Sequence, residues 1–213
     1  MGALAPVNVG SKYHRVSAQF SLELKDEVKI MKKKFIASLL LAILTFITGY
    51  AAATDKDDAQ QLKEAYSLQK HSEGGWFAEL YTSPFKQNDR APAGSIYFLI
   101  DKNEISHFHQ IDCDEIWYYH TGCGMKIYIF KDNVMKEYLL GINTEKNEQP
   151  MVIIPAGAIF AAENIDRHGY TFISCATTPA FKYEGFRLVS KKELKALYPQ
   201  AEEHILNMAF DIP

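Results

Sequence analysis

The sequence predicts a mainly β protein, an antiparallel sandwich or barrel with a helix near each end of its folded part. Ten short strand-like runs follow one another, and turn residues separate them. No helical period interrupts the series, so neighbouring strands are expected to pair antiparallel rather than through long crossovers. The runs span residues 76–81, 94–100, 105–109, 115–120, 125–130, 134–140, 151–154, 158–162, 170–176 and 185–189.

Helical spacing is found before and after these runs. Residues 57–70 place Leu62 and Tyr66 one turn apart among charged side chains, which predicts a helix packed against the barrel. At the other end, Ser190 and Glu193 form a capping box, in which the two side chains satisfy backbone N–H groups of a first helical turn. A second helix is therefore expected after Ser190.

The amino-terminal part has the composition of a secretory signal. Met31 and three lysines precede the apolar run 35–47, and Ala51-Ala52-Ala53 supplies small residues for cleavage after Ala53. We interpret residues 1–30 as an upstream segment that is not native, residues 31–53 as the signal peptide, and residues 54–213 as a single domain. The alternative is an uncleaved anchor helix, because the segment 35–53 approaches membrane-spanning length.

This interpretation predicts a periplasmic or secreted protein with no stable membrane insertion after signal cleavage. The leader contains seven Lys and Arg and three Asp and Glu, so residues 54–213 keep 16 basic and 23 acidic residues, a formal charge of −7. An acidic chain without a basic cluster is not expected to bind nucleic acid.

An exported chain with three cysteines cannot pair all of them internally. Cys113 and Cys123 flank one predicted strand, so at about 3.3 Å per residue they lie roughly 30 Å apart, beyond the reach of a disulfide. Cys175 falls in a predicted strand, where a small buried side chain is the expected role.

A possible metal site comes from His107, His109 and Glu115. The two histidines are two residues apart in a predicted strand and should project from one face, and Glu115 begins the next run. Two imidazoles and a carboxylate suit a divalent transition metal. The alternative is that they are ordinary polar strand residues. The spacing His-x-His-x5-Glu-x6-Gly is similar to the first signature of the cupins, small β-barrels with a site in the barrel mouth.

An ordered series of motifs resembles one specific family, the DUF985 or cupin_5 proteins of the RmlC-like cupin superfamily. The resemblance covers about residues 62–198 and implies an antiparallel jelly-roll barrel with flanking helices, assembled as a homodimer. It implies little about activity, because the family is generally of unassigned function. The motifs are His-Ser-Glu-Gly-Gly-Trp at 71–76 with its continuation to 81, and the segments 95–100, 108–109, 114–117, 140–141, 152–157 and 175–181.

Two departures from cupin patterns bear on the metal. In the family, the expected histidine corresponds to His109, whereas the position of His107 varies. The second cupin motif, Pro-x-Gly-x-x-His, is present here as residues 155–160, and Phe160 stands where metal-binding cupins place their last histidine. At most three ligands remain, and such a site has open coordination positions.

A ligand pocket is predicted next to His109. Glu115, Trp117 and Tyr119 alternate onto one strand face, and inside a barrel they would combine apolar walls with a few polar groups. Such a pocket suits a small polar molecule such as a sugar. The alternative is that the aromatic side chains simply fill the barrel. The predicted ligand-binding residues are Glu73, Glu79, Trp117 and Phe160.

These residues support several functions. The first is binding of a small polar molecule, including a carbohydrate derivative. An epimerase or isomerase would use His109 and Glu115, with Tyr97 or Tyr119 returning a proton to the substrate. A metal-dependent enzyme would use the His107, His109 and Glu115 set. A non-catalytic relic or storage-like cupin is the remaining alternative, so the sequence leaves enzymatic activity open.

Overall fold

The computed structural model describes residues 58–211, together with Met31 and Phe35. The chain divides into two units, Met1–Ala53 and Thr54–Pro213. The described part of the second unit contains two antiparallel sheets, which confirms the predicted β class. The predicted upstream segment and signal peptide lie outside the described residues, apart from Met31 and Phe35.

The first sheet has six strands and supplies most of the wall around the barrel mouth. Its long central strands are rich in β-branched and aromatic residues, which pack well on a pleated surface. In spatial order it consists of β1 (Gln69–Lys70), β2 (Trp76–Thr82), β3 (Gly94–Asp101), β10 (Tyr170–Thr178), β5 (Asp114–Gly122) and β8 (Met151–Ile154).

The second sheet has five strands and faces the first across the main core. Its central strand β9 is buried along its whole length, as expected of a strand that is covered on both faces. In spatial order the sheet consists of β11 (Arg187–Leu188), β4 (Ile105–Gln110), β9 (Ile159–Asn164), β6 (Met125–Lys131) and β7 (Val134–Leu140).

The main core lies between the two sheets. Phe98 and Trp117 from the first sheet and Ile127 and Phe160 from the second belong to one buried cluster. On the outer side of the second sheet, Phe108 packs with Leu194 and other residues of α2 (Lys191–Leu197) and α3 (Glu203–Leu206). The space between the two sheets is therefore filled by side chains.

Helix α1 is shorter than the sequence predicts. Residues 58–65 are helical, but Ser67 has a positive φ of 52° and the chain then forms β1, which pairs with β2. The pairing to β2 outweighs local helical propensity in this segment. The capping box is found as predicted, because the Glu193 N–H donates to Ser190 Oγ over 3.1 Å.

Two further findings concern the described part of the chain. Its three cysteines are free thiols, and Cys113 and Cys175 are buried. Within these residues, no helix combines the length and the apolar character that a membrane crossing requires.

Candidate ligand site in the barrel mouth

A cavity opens between the ends of the strands, with a volume of about 760 Å³ when its solvent-open part is included. Polar groups converge at its base, and aromatic side chains form much of its wall, a composition typical of small-molecule sites. The polar lining includes His71, Glu73, Glu79, His109, Glu115 and Thr177, and the aromatic lining includes Phe77, Tyr81, Phe98, Trp117, Phe181 and Tyr183.

The loop between β1 and β2 carries Glu73 into this cavity. The loop is closed by hydrogen bonds from the His71 N–H to the Gly75 carbonyl (3.1 Å) and from the Gly74 N–H to the His71 carbonyl (3.2 Å). Gly74 has a φ of 108° and lies against the Ile105 carbonyl, where a Cβ atom would clash. The loop is therefore held tightly against β4, with the Glu73 side chain buried.

The carboxylate of Glu73 is the centre of a buried polar network. Ser106 Oγ donates to Glu73 Oε1 over 2.9 Å, while His109 Nε2 and His71 Nδ1 lie 3.2 Å and 3.3 Å from Glu73 Oε2. Burial alone would raise the pKa of Glu73, but the charges and hydrogen bonds of His109, His71 and Ser106 lower it overall. The ionised form of this carboxyl is thus favoured.

The contacts of His109 indicate that it shares a proton with Glu73, although burial lowers the pKa of the His109 imidazole. A carbonyl oxygen only accepts hydrogen bonds, so the 2.7 Å contact to the His107 carbonyl requires a proton on His109 Nδ1. Nε2 of the same ring then faces Glu73 Oε2 at 3.2 Å, and this contact is favourable when a proton lies between the two atoms. The pair can therefore accept or deliver a proton at the base of the cavity.

A β-bulge explains why Ser106 and His109, three residues apart, both face Glu73. Ser106 is paired with Ala162 and His109 with Phe160, so β4 contains one more residue than β9 over this stretch. The extra residue interrupts the two-residue alternation of a regular strand. His107 and His109 consequently do not project to the same place.

The bulge turns His107 away from the cavity. Its ring stacks on Phe210 with a centroid distance of 4.1 Å, and its Nδ1 donates to the Glu73 carbonyl over 2.7 Å. The neighbouring Phe108 N–H donates to the Met208 carbonyl over 3.0 Å. The stacking of His107 on Phe210 and the hydrogen bond from Phe108 to Met208 attach the carboxyl-terminal segment to β4.

The predicted metal set is therefore not assembled, because His107 does not share the cavity with His109 and Glu115. In residues 58–211, no three His, Cys, Asp or Glu side chains form a group that could hold a metal ion. The position of the last cupin histidine is taken by Phe160, whose ring is 4.0 Å from that of His109.

Glu115 lines the same cavity and is buried, with 8% of its surface exposed. Burial raises its pKa to about 8, and the negative charge of Glu73 adds to this effect. The Trp117 indole and the Cys175 thiol act in the other direction by favouring the carboxylate. Trp117 Nε1 is buried and reaches hydrogen-bond geometry with no acceptor in the described part of the chain.

Several residues singled out in the sequence lie elsewhere. Tyr97 does not line the cavity but packs with Tyr66 and Phe172, at centroid distances of 4.7 Å and 5.0 Å. Tyr119 is four residues further along β5 than Glu115, and its hydroxyl donates to the Gly122 carbonyl over 2.7 Å. Phe160 is buried behind His109 rather than in the cavity wall. Neither tyrosine is placed to return a proton to a substrate here.

The structure also adds residues that sequence reasoning left without a role. His71 contacts Glu73, and Cys175 lies in the cavity wall next to Glu115. The sequence could have indicated His71, because it lies two residues before Glu73 within a family motif. No local pattern identifies Cys175, because its place depends on the pairing of β10 with β5.

The close approach of Gly74 to β4 gives a testable prediction. Gly74→Ala should lower the free energy of unfolding by about 3 kcal/mol, since a Cβ would both clash with the Ile105 carbonyl and strain a positive φ. Gly157→Ala is the matched control: its φ is 74°, but no atom lies within 4 Å of the place that an added methyl group would take, so about 1 kcal/mol is expected. Urea unfolding of both variants measures the difference, and equal losses would contradict the tight loop.

Comparison with known proteins identifies relatives over most of the described domain. A family model described as "Cupin superfamily (DUF985)" matches residues 60–189. The uncharacterized protein YML079W of Saccharomyces cerevisiae is 27% identical over 158 residues, which cover 65% of this chain and 79% of the yeast protein.

Two solved structures are similar in both sequence and fold. A hypothetical protein from Leishmania major is 30% identical with a TM-score of 0.67, and the match covers 72% of this chain and 99% of that protein. Protein SO0799 from Shewanella oneidensis is 30% identical with a TM-score of 0.68, over 71% of this chain and 97% of that protein. These relatives carry the same barrel over nearly their whole lengths.

Proposed function

The chain belongs to the DUF985 family of the cupin superfamily, and on that basis we propose that it binds a small polar molecule in the cavity at the barrel mouth. The observation that carries this proposal is the convergence of Glu73, His109 and Glu115 at the base of a cavity with aromatic walls. Buried polar groups of this kind orient a ligand, while the aromatic surfaces supply contact area. A carbohydrate derivative is within the proposed class.

Mass spectrometry of small molecules released from the purified protein tests this proposal directly, and it supplies a ligand for binding measurements. His109→Ala and Glu115→Ala should each weaken the affinity about tenfold or more, because each removes a polar group of the cavity wall. His107→Ala should change the affinity little, since that ring lies outside the cavity. Unchanged binding in both cavity variants would leave a relic or storage-like barrel as the better account.

A second candidate is an acid–base enzyme of the epimerase or isomerase type. The observation in its favour is that the His109–Glu73 pair and a second carboxyl group, Glu115, line one cavity. One group could remove a proton next to a carbonyl while the other supplies one. A phenol would have to come from Tyr81 or Tyr183, which line the cavity, rather than from the tyrosines the sequence suggested.

Proton transfer to carbon has a direct readout. Carbonyl sugars incubated with the protein in deuterated water should exchange the hydrogen next to the carbonyl, as followed by NMR. Glu115→Gln should slow this exchange about a hundredfold if the carboxyl acts as acid or base. Absence of exchange above the buffer rate would exclude this second candidate and leave the binding function untouched.

We also propose that the protein is exported and forms a homodimer. Export is supported by the lysine-led apolar segment and its Ala51-Ala52-Ala53 ending. Dimerisation is supported by the edge strand β8, whose Met151 and Ile153 are exposed on a sheet edge that needs protection. An amino terminus at Thr54 and a dimer mass in light scattering are expected. A cytosolic protein that retains Met31, or a monomer at high micromolar concentration, would contradict these proposals.

A further inference from the structure

We infer that the molecule bound at the barrel mouth is a small organic cation, in which an ammonium group pairs with the Glu115 carboxylate. This inference rests on the proposed binding function, because it assigns a chemical class to the ligand of the same cavity. It follows from the charges of the cavity, from the state of each carboxyl group, and from the aromatic wall.

The cavity offers carboxyl groups but no permanent cation. Among the lining residues of the described chain, Glu73, Glu79 and Glu115 are acidic, and no lysine or arginine is present. Arg90, which donates to the carbonyl of the lining residue Ala180, is occupied by a bidentate pair with Asp112 at 2.8 Å and 2.9 Å. A phosphate, sulfate or carboxylate ligand would therefore find no guanidinium or ammonium partner.

The two buried carboxyl groups differ in what surrounds them. Glu73 is already paired, since Ser106, His71 and His109 all contact its oxygens. Within the described chain, the titratable groups that act on Glu115 are Glu73 from the β1–β2 loop, Cys175 from β10 and Cys113 before β5. None of these three groups carries a positive charge, so a cationic ligand would supply the missing counter-charge.

Two neighbouring side chains partly oppose the effect of burial on Glu115 and stabilise its carboxylate once it forms. Trp117 Nε1 is a buried N–H with no acceptor in hydrogen-bond geometry in residues 58–211, and together with the Cys175 thiol it favours the carboxylate. An unpaired buried donor is costly, and the Glu115 oxygens become stronger acceptors for it when Glu115 loses its proton. A bound ammonium group would stabilise that same state.

The aromatic wall suits the rest of such a ligand. Phe98 and Trp117 lie 6.0 Å apart at their ring centroids, and Phe77 and Phe181 line the same cavity. The faces of aromatic rings attract cations, most strongly where water is excluded. A carboxylate among aromatic rings is thus a chemical environment that recognises amines and quaternary ammonium groups.

Binding of a cation should be linked to proton release. The pKa of Glu115 is raised to about 8, so the carboxyl is protonated below that pH and must lose its proton to pair with an ammonium group. Affinity should therefore increase about tenfold per pH unit below pH 7, about fivefold from pH 7 to pH 8, and level off above about pH 9. A neutral ligand would show no such dependence.

Choline and its uncharged isostere 3,3-dimethyl-1-butanol form the matched pair of probes, because the charge of choline does not titrate. Calorimetry at several pH values, in two buffers of different ionisation enthalpy, gives the affinity and the proton count. Choline should bind at least about tenfold more tightly than the isostere at pH 8, and it should release about half a proton there and close to one proton at pH 7 or below. Glucosamine and glucose provide a second charged and neutral pair.

Glu115→Gln should remove both the preference for the cation and the proton release, whereas Glu137→Gln, on the exposed face of β7, should keep them. The proton count of the unaltered protein tests the inference even if a variant folds poorly. Equal binding of charged and neutral probes would overturn the cation inference alone. Failure of every probe to bind, with no small molecule released from the protein, would overturn it together with the binding function.

Discussion

Glu115→Gln is expected to make the protein more stable at pH 8, by about 4 kcal/mol. The folded-state pKa of Glu115 is about 8, whereas the ordinary value is 4.5. Because the folded state holds the proton more tightly, the unaltered protein loses stability as pH rises between these two values, by about 1.4 kcal/mol per pH unit at most. Glutamine keeps the shape of the protonated carboxyl and does not titrate.

Urea unfolding of both proteins from pH 5 to pH 8 measures this difference. The two stabilities should be similar near the acidic end and separate as the pH increases. Glu79→Gln is the control, since Glu79 lies in the same cavity wall but is exposed. Parallel stability curves for Glu115→Gln and the unaltered protein would show that Glu115 is not held protonated by burial.

Glu73→Ala is expected to lower the free energy of unfolding by about 3 kcal/mol at pH 7. The substitution removes the shared acceptor of Ser106, His71 and His109, and it leaves buried polar groups without a partner. The folded-state pKa of Glu73 is lowered, so this contribution is present above its ordinary value of 4.5. It should disappear as the pH falls through the lower folded-state value.

Glu79→Ala is the matched control for this substitution, because it removes an exposed glutamate from β2, the strand that follows the Glu73 loop. Its effect should stay within about 0.5 kcal/mol. Thermal or urea unfolding at pH 7 and again below pH 4.5 distinguishes the two variants. Equal small losses at both sites would mean that the buried network around Glu73 does not stabilise the barrel.

Much of the fold could be predicted from local patterns. The runs predicted at residues 134–140 and 151–154 coincide with β7 and β8, because alternation and turn residues are properties of neighbouring positions. The prediction that His107 and His109 project to one point was wrong for a non-local reason. The bulge in β4 is defined by its pairing with β9, some fifty residues away, and the sequence of β4 alone does not reveal it.

The sequence predicted only part of the candidate site, because the remaining positions also depend on non-local packing. Glu73, Glu115, Trp117 and His109 were identified from motifs and from the two-residue period, and the structure brings them to one cavity. Tyr119 shares the parity of Glu115 but lies too far along the strand. Tyr97 fails on parity, since its neighbour Phe98 is the residue that lines the cavity. How far the cavity extends along β5, and which face of β3 lines it, depend on tertiary packing.

The contacts of His107 and Phe108 connect the carboxyl-terminal segment to the candidate site. Phe210 stacks on the ring of His107, and the Met208 carbonyl accepts a hydrogen bond from the Phe108 N–H. The carboxyl-terminal segment therefore holds β4 in place. His109 follows directly on this braced stretch and donates back to the His107 carbonyl. Met208 and Phe210 thus help to position His109 indirectly, through their contacts with the two preceding residues.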